Sequence, residues 1–80
     1  MRNPVEIRNP VLTLESVRKL QTMPLEVQGI LREVLLDIRK ESLANADKSW
    51  KKHKAPMAAY WKAVGVYSGH IARSLRKGNV

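Results

Sequence analysis

The stretch KAVGVYSGHIARSLRKG, residues 62–78, decides the fold because it holds two glycines inside an apolar and basic run. The chain either turns at Gly65 or continues through Gly65 and Gly69 as one helix. At about 100° per residue, the large apolar side chains before and after the glycines fall in one stripe. They are Met57, Tyr60, Trp61, Val64, Tyr67, Ile71 and Leu75. A turn would reset this phase, so the sequence predicts one unbroken helix over residues 56–77.

Part of the same stretch, VGVYSGHIARSL, resembles the second half of a helix-turn-helix motif, with Gly65 in the turn. The resemblance implies a transcriptional regulator that reads DNA with a helix beginning at Ser68. Two residues conflict with it. Trp61 stands where such motifs have a small residue, four positions before the glycine, and Ser74 occupies the usual late apolar position. A helix-turn-helix regulator is therefore the third of the three functions that we consider.

Four small residues lie close together on the predicted helix and indicate that another helix or a phosphate backbone approaches it closely. A glycine inside a helix costs about 1 kcal/mol relative to alanine, so we expect tight packing to compensate. The small residues would form a shallow groove, used either for helix packing or for a partner. They are Gly65, Gly69, Ala58 and Ala72. The face opposite the apolar stripe, with Lys62, Arg73 and Arg76, is predicted to be exposed and cationic, and to include Gly69.

An earlier apolar stripe predicts the longest helix. Its members recur at the spacing of one helical face and are Val27, Ile30, Leu31, Val34, Leu35 and Ile38. The apolar phase is lost after Ile38, so the helix either continues to about His53 or breaks near residues 45–47. We expect one helix over residues 24–53, with room for a kink at 45–47. Pro24 and Pro56 suit the first positions of this helix and the next. Two stripes joined by a short connection predict an antiparallel hairpin in which the stripes cover each other.

The N-terminal residues are predicted to form an extended arm, which either wraps a second subunit or is a frayed terminus. RNPV occurs at residues 2–5 and again at 8–11, and proline disfavours helix for the residue before it. Thr13 suits the N-cap of a short helix over residues 13–22. The predicted fold class is therefore all-α. An arm over residues 1–12 precedes one helical domain over 13–78, built from the short helix and a hairpin of two longer amphipathic helices.

The positive charge is confined to the last part of the chain. Residues 1–47 hold seven basic and seven acidic residues, whereas residues 48–80 hold eight basic residues and no acidic one. This asymmetry favours a polyanionic partner, with nucleic acid first and an acidic protein surface second. The predicted phosphate contacts are Lys48, Lys51, Lys52, Lys54, Lys62, Arg73, Arg76 and Lys77.

The aromatic residues cluster with these cations. Helical spacing favours a core position for Tyr60, Trp61 and Tyr67, whereas Trp50 lies within DKSWKKHK and is left open. Trp50 either packs across the turn or remains exposed as a contact residue, where it could stack on a base between cations.

No catalytic constellation is evident. The carboxylates all lie at or before Asp47, and both histidines, His53 and His70, come later. The chain has no cysteine, no nucleophile–base spacing and no phosphate-binding loop. We therefore expect a protein that is not an enzyme and that uses neither a metal nor a cofactor.

Length and hydropathy set the remaining expectations. An 80-residue chain buries only about 60% of the surface that its unfolded form exposes, so we expect a homodimer or docking onto a partner. Neither a signal peptide nor a membrane span is expected, which favours a cytoplasmic protein. The leading function is a small nucleic-acid-associated regulatory or accessory protein, and the second is an interaction module or inhibitor that binds an acidic protein.

Overall fold

The computed structural model describes residues 9–76 of the chain, and every regular element there is helical. A 3₁₀ helix, Pro10–Thr13, precedes α1 (Glu15–Leu20), α2 (Leu25–Lys51) and α3 (Ala55–Ser74). The predicted all-α hairpin is confirmed, because α2 and α3 pack along each other. Their direction is antiparallel, since Gly65 faces Leu43, Gly69 faces Arg39 and the end of the hairpin brings Arg76 to Gln28.

The two long helices begin and end close to the predicted residues, whereas the short helix begins at Glu15 with Leu14, not Thr13, as its N-cap. α2 continues without interruption through residues 45–47, and α3 continues through both glycines, so no turn occurs at Gly65. This stretch is therefore not a helix-turn-helix. Pro24 is the N-cap of α2, and Pro56 lies in the first turn of α3, where its missing N–H leaves no bond unmade.

The turn between the long helices is a Schellman motif. Lys54 N–H donates to Ser49 O at 2.9 Å, and His53 N–H donates to Trp50 O at 3.0 Å. His53 has a φ of 60°, in the left-handed region that is normally filled by glycine in this motif. The turn therefore closes tightly at the cost of strain at His53.

The N-terminal segment differs from the predicted arm where the structure describes it. Residues 10–13 form the 3₁₀ helix rather than an extended chain, and Asn9 Nδ2 donates to His70 O of α3 at 2.9 Å. Val11 and Val17 are buried, so this segment and α1 cover one end of the hairpin. Most of the predicted arm, residues 1–8, lies outside the described residues.

A buried glutamine joins the ends of three elements. Gln28 Nε2 donates to Gln21 O at 2.9 Å and to Met23 O at 2.7 Å, which fixes the turn before α2. Its Oε1 accepts from the N–H of Arg76, just beyond α3, at 3.2 Å. Gln21 Nε2 also donates to Ser74 O at 2.9 Å. The open end of the hairpin is thus held by amide hydrogen bonds in addition to the buried side chains of Val11, Val17 and Leu75.

The contact between α2 and α3 is made through small side chains. The small-residue seam of α3 consists of Ala58, Gly65, Ser68, Gly69 and Ala72, all buried. A Cβ built on Gly65 would lie 2.9 Å from Leu43 Cδ2, and one built on Gly69 would lie 2.9 Å from Arg39 Cδ. Gly69 therefore faces α2. The sequence prediction that it belongs to an exposed cationic face was wrong.

The large apolar side chains are mostly not covered by the hairpin. Ile30, Tyr60 and Tyr67 are 63%, 60% and 53% exposed, so the predicted stripes cover each other only in part. The stripe members that are half-buried or buried are Leu31, Leu35, Trp61, Val64, Ile71 and Leu75. The reason is geometric. Two helices approach most closely where their side chains are smallest, and the seam turns the bulky stripes to one side. The largest fully buried side chains in residues 9–76 are Gln28 and Ser42, neither of them apolar.

Candidate functional site

The hairpin tip, residues 48–54, concentrates positive charge around one aromatic ring. Lys48 and Lys51 project from the last turns of α2, and Lys52 and Lys54 flank the left-handed His53. All four lysines are exposed. Their proximity follows from the Schellman turn, which reverses the chain within three residues.

Trp50 is the exposed aromatic residue of the hairpin tip. It is 67% exposed and does not pack into a core across the turn. It borders an open concavity of about 480 Å³, together with Lys51, His53 and Ala55. A flat ring beside several ammonium groups can stack on a nucleobase while the lysines contact phosphates.

Most of this charge has no carboxylate partner in the structure. Within residues 9–76, the one ion pair joins Lys51 Nζ to Asp47 Oδ2 at 2.9 Å. Both side chains are well exposed, so the pair contributes at most about 0.5 kcal/mol. Lys48, Lys52 and Lys54 thus have no acidic partner among the described residues and remain available to an anion.

A second set of cations extends from the tip along one side of the hairpin. Lys62 and Arg73 are eleven residues apart, which is close to three whole turns, so they share a face of α3 about 16 Å apart. Arg39 and Trp50 have the same spacing on α2. Because the helices are antiparallel, Arg39 lies opposite Arg73 and Trp50 lies toward Lys62. We call these four residues the basic face.

The predicted contact residues have the following positions. Lys48, Lys51, Lys52 and Lys54 are at the tip, and Lys62 and Arg73 are on the basic face. Arg76 is exposed beyond α3, and Lys77 lies outside the described residues. The structure adds Arg39, which a tally of charge could not find because residues 1–47 are neutral overall.

The predicted groove residues are not open to a partner. Gly65, Gly69, Ala58 and Ala72 are buried in the small-residue seam, and α2 lies against the two glycines. Of the two roles considered for them, the structure places them in helix packing.

The other side of the hairpin is apolar and largely uncovered. Helical phase places seven large side chains there, which we call the apolar face. They are Val27, Ile30, Val34 and Ile38 of α2 and Met57, Tyr60 and Tyr67 of α3, each between 36% and 63% exposed. Together they present roughly 500 Å² of apolar surface. A patch of that size is comparable to the largest apolar patch of a typical monomeric protein, which often serves in binding.

Residues 9–76 contain no group of three or more histidine, aspartate or glutamate side chains that could hold a metal ion. Within the same part of the chain, neither long helix has a segment apolar enough to cross a lipid bilayer. No protein-family model, curated protein or solved structure matches this chain.

Proposed function

We propose that this chain is a non-enzymatic, nucleic-acid-associated regulatory or accessory protein that binds DNA or RNA through the hairpin tip and the basic face. The observation that carries the proposal is the exposed ring of Trp50 among lysines that have no carboxylate partner in the described residues. Lysines that neutralise backbone phosphates release condensed counterions, which favours binding at low and moderate salt. Stacking on Trp50 would add affinity for unpaired bases.

Sequence preference should be weak. Ammonium groups on long flexible stems contact phosphates, which position a protein but carry no base sequence. α3 packs against α2 through its small-residue seam and shows no turn at Gly65, so it is not the recognition helix of a helix-turn-helix. We therefore expect similar affinity for scrambled sequences and a preference for single strands.

The first experiment measures binding to labelled duplex DNA, single-stranded DNA and RNA across salt concentration. We expect a micromolar or lower Kd near 0.15 M salt, with a log–log slope that corresponds to roughly four to eight released counterions. Absence of binding above about 0.1 M salt, where exposed charges are strongly screened, would overturn the proposal. Capture of an acidic protein in that case would favour the alternative function, an interaction module.

A matched pair of variants separates the site from the overall charge. One variant replaces Lys48, Lys52 and Lys54 by glutamine. The control replaces three exposed cations of the neutral half by glutamine, namely Arg18, Lys19 and Lys40. Both variants lose three charges, but only the first should weaken binding by about tenfold or more. Equal losses would mean that net charge, not the hairpin tip, determines affinity.

We also infer that a second copy of the chain covers the apolar face, giving a homodimer. A standard interface buries about 800 Å² on each partner, of which roughly 60% is apolar. That apolar share is about 500 Å², close to the area of the apolar face. The need is internal to the chain, because the large apolar side chains that are buried within residues 9–76 are limited to Val11, Val17 and Leu75. A second copy carries the same apolar face and is present wherever the chain itself is present.

Sedimentation equilibrium tests this inference. The wild type should be dimeric at micromolar concentration, and Ile30→Gln or Tyr60→Gln should shift the mass toward that of a monomer. Trp50→Gln is the control, since it removes an exposed aromatic residue from the opposite side and should leave the dimer intact. A wild type that stays monomeric at millimolar concentration would refute the dimer and leave the apolar face to another protein.

A further inference from the structure

Two arginines from different helices meet above Gly69. The position that a Cβ would occupy on Gly69 lies 3.0 Å from Arg39 Nε and 3.5 Å from Arg73 Nη1. Those distances leave the two guanidinium nitrogens at most about 6.5 Å apart, a range over which like charges repel. The absence of a side chain on Gly69 is what allows the stem of Arg39 to lie against α3.

Neither arginine is neutralised within the described part of the chain. No carboxylate of residues 9–76 lies within ion-pair distance of Arg39 or Arg73. Arg73 Nη2 instead contacts His70 Nδ1, one turn earlier, at 3.2 Å. In this contact the arginine donates to an imidazole nitrogen that carries no proton, so the ring orients Arg73 without supplying a negative charge.

We infer that Arg39 and Arg73 form a clamp for one phosphate group, and that the packing of the Arg39 stem on Gly69 brings the two guanidinium groups together. Guanidinium groups suit this role because their planar N–H donors bind phosphate oxygens in pairs. A bound phosphate would supply the negative charge that residues 9–76 do not provide. Gly69 is covered by the Arg39 stem, so it places Arg39 beside Arg73 and does not itself contact the anion.

The ligand is a backbone phosphodiester of nucleic acid, and this assignment rests on the proposed function. The clamp lies on the same face as Lys62 and Trp50, which follow about 16 Å along the hairpin. A free phosphate ion would use only the clamp, whereas a strand could contact the clamp, Lys62 and the hairpin tip together. The clamp is thus the part of the basic face that lies farthest from the hairpin tip.

Single-substitution variants test the clamp on a labelled single-stranded oligonucleotide of about 20 nucleotides, titrated across salt. Arg39→Gln and Arg73→Gln should each weaken binding by about five- to tenfold and lower the salt slope by about one. Because either change opens the clamp, the double variant should lose much less than the product of the two single losses. Lys40→Gln, an exposed neighbour of Arg39 on another side of α2, is the control and should change affinity less than about twofold.

Gly69→Ala provides a test without any change of charge. The added methyl would lie 2.9 Å from Arg39 Cδ, so the Arg39 stem must move away. Affinity should fall about three- to fivefold with an unchanged circular dichroism spectrum. Full affinity in Gly69→Ala would refute the role of Gly69 in placing Arg39.

The outcomes separate the clamp from the proposed function. If the wild type binds the oligonucleotide and Arg39→Gln behaves like Lys40→Gln, the clamp is wrong and the proposed function stands. If the wild type does not bind near physiological salt, both are wrong. Inorganic phosphate at matched ionic strength should compete only at tens of millimolar. Displacement by micromolar phosphate would reassign the clamp to a free phosphate ion.

Discussion

Replacing the two helical glycines of α3 by alanine, one at a time, tests the packing on which the fold depends. Both substitutions gain about 1 kcal/mol of helix propensity, because alanine loses less backbone freedom on folding than glycine does. They differ in what the added methyl meets. Gly65 and Gly69 are one turn apart on the same seam, so each is the natural control for the other.

At Gly65 the methyl has little room. It would lie 2.9 Å from Leu43 Cδ2, 3.0 Å from Leu43 Cγ and 3.4 Å from the backbone oxygen of Arg39. The branch point of a half-buried leucine and a helix backbone can yield only if the two helices move apart. Overpacking of this kind costs about 1–3 kcal/mol. After the propensity gain, we expect Gly65→Ala to lower the free energy of unfolding by about 0–2 kcal/mol.

At Gly69 the methyl meets the end of a flexible side chain. Its nearest neighbours are Arg39 Cδ at 2.9 Å and Arg39 Nε at 3.0 Å, and Arg39 is exposed, so it can take another rotamer. The propensity gain is largely retained, and Gly69→Ala should be more stable than the wild type by about 0.5–1 kcal/mol. The two alanine variants should therefore differ by about 0.5–3 kcal/mol.

Thermal and urea unfolding, followed by circular dichroism, measure this difference. For a domain of this size 1 kcal/mol corresponds to about 4–8 °C in Tm. All proteins must be compared at one concentration, since self-association raises Tm. Leu43→Ala should remove the clash and make Gly65→Ala stabilising in that background. If Gly65→Ala raises Tm as much as Gly69→Ala in the wild-type background, then Leu43 does not pack on Gly65 and the seam is misassigned.

Three further substitutions test other parts of the hairpin. His53→Gly should raise the free energy of unfolding by about 0.5–1 kcal/mol, because glycine adopts the left-handed backbone conformation without strain. His53→Ala is the control and should bring no such gain. Equal melting curves for the two variants would mean that the backbone at His53 is not strained. Gln28→Leu should lower the free energy of unfolding by about 2–4 kcal/mol, because it leaves three backbone groups without their partner. Gln21→Ala removes one hydrogen bond and should lower it by about 1 kcal/mol in the same urea titration. Trp50→Ala should weaken single-strand binding by about 1–3 kcal/mol in a fluorescence-anisotropy titration while Tm stays unchanged, and a lower Tm would instead mean that Trp50 is part of the fold.

The helices themselves could be predicted from the sequence because their signals are local. Unbroken phase across Gly65 and Gly69 predicts a continuous α3, and the positions of Pro24 and Pro56 predict where the long helices begin. The apolar phase and the proline positions are each properties of a single segment, so they can be recognised without knowing how the helices pack. The structure agrees with them closely, with α2 at Leu25–Lys51 and α3 at Ala55–Ser74.

The direction in which each helix packs could not be predicted in the same way. Apolar spacing identifies a face that avoids water, but it does not say which chain covers that face. The sequence interpretation assigned Tyr60 and Tyr67 to a core within the hairpin, whereas the hairpin closes through Gly65 and Gly69. Two helices cannot approach closely where large side chains lie between them. The contact between α2 and α3 therefore forms along the aligned small residues of the seam, and the large side chains remain outside it.

The hydrogen bonds of Gln28 and the role of Arg39 in the proposed clamp were missed for a related reason. Gln28 reads as one polar residue in an apolar segment, and its role appears only when residues 21–23 and Arg76 come together around it. Arg39 belongs to the electrically neutral half of the chain, so its partner on α3 depends on the antiparallel register. An eleven-residue spacing to Trp50 was the one local signal that could have drawn attention to it.

The two faces of the hairpin make the proposed dimer and the proposed nucleic-acid binding compatible with each other. The apolar face and the basic face lie on opposite sides, so two copies joined through the first would each keep the second free. A long strand could then engage two basic faces, and the second contact would form at the high effective concentration set by the dimer. The affinity of the wild type should therefore rise steeply with oligonucleotide length, once the strand is long enough to reach both copies. Tyr60→Gln leaves every cation in place but weakens the dimer, so its affinity should rise with length only gradually. Equal length dependence in the two proteins would mean that the nucleic acid is bound by one copy at a time.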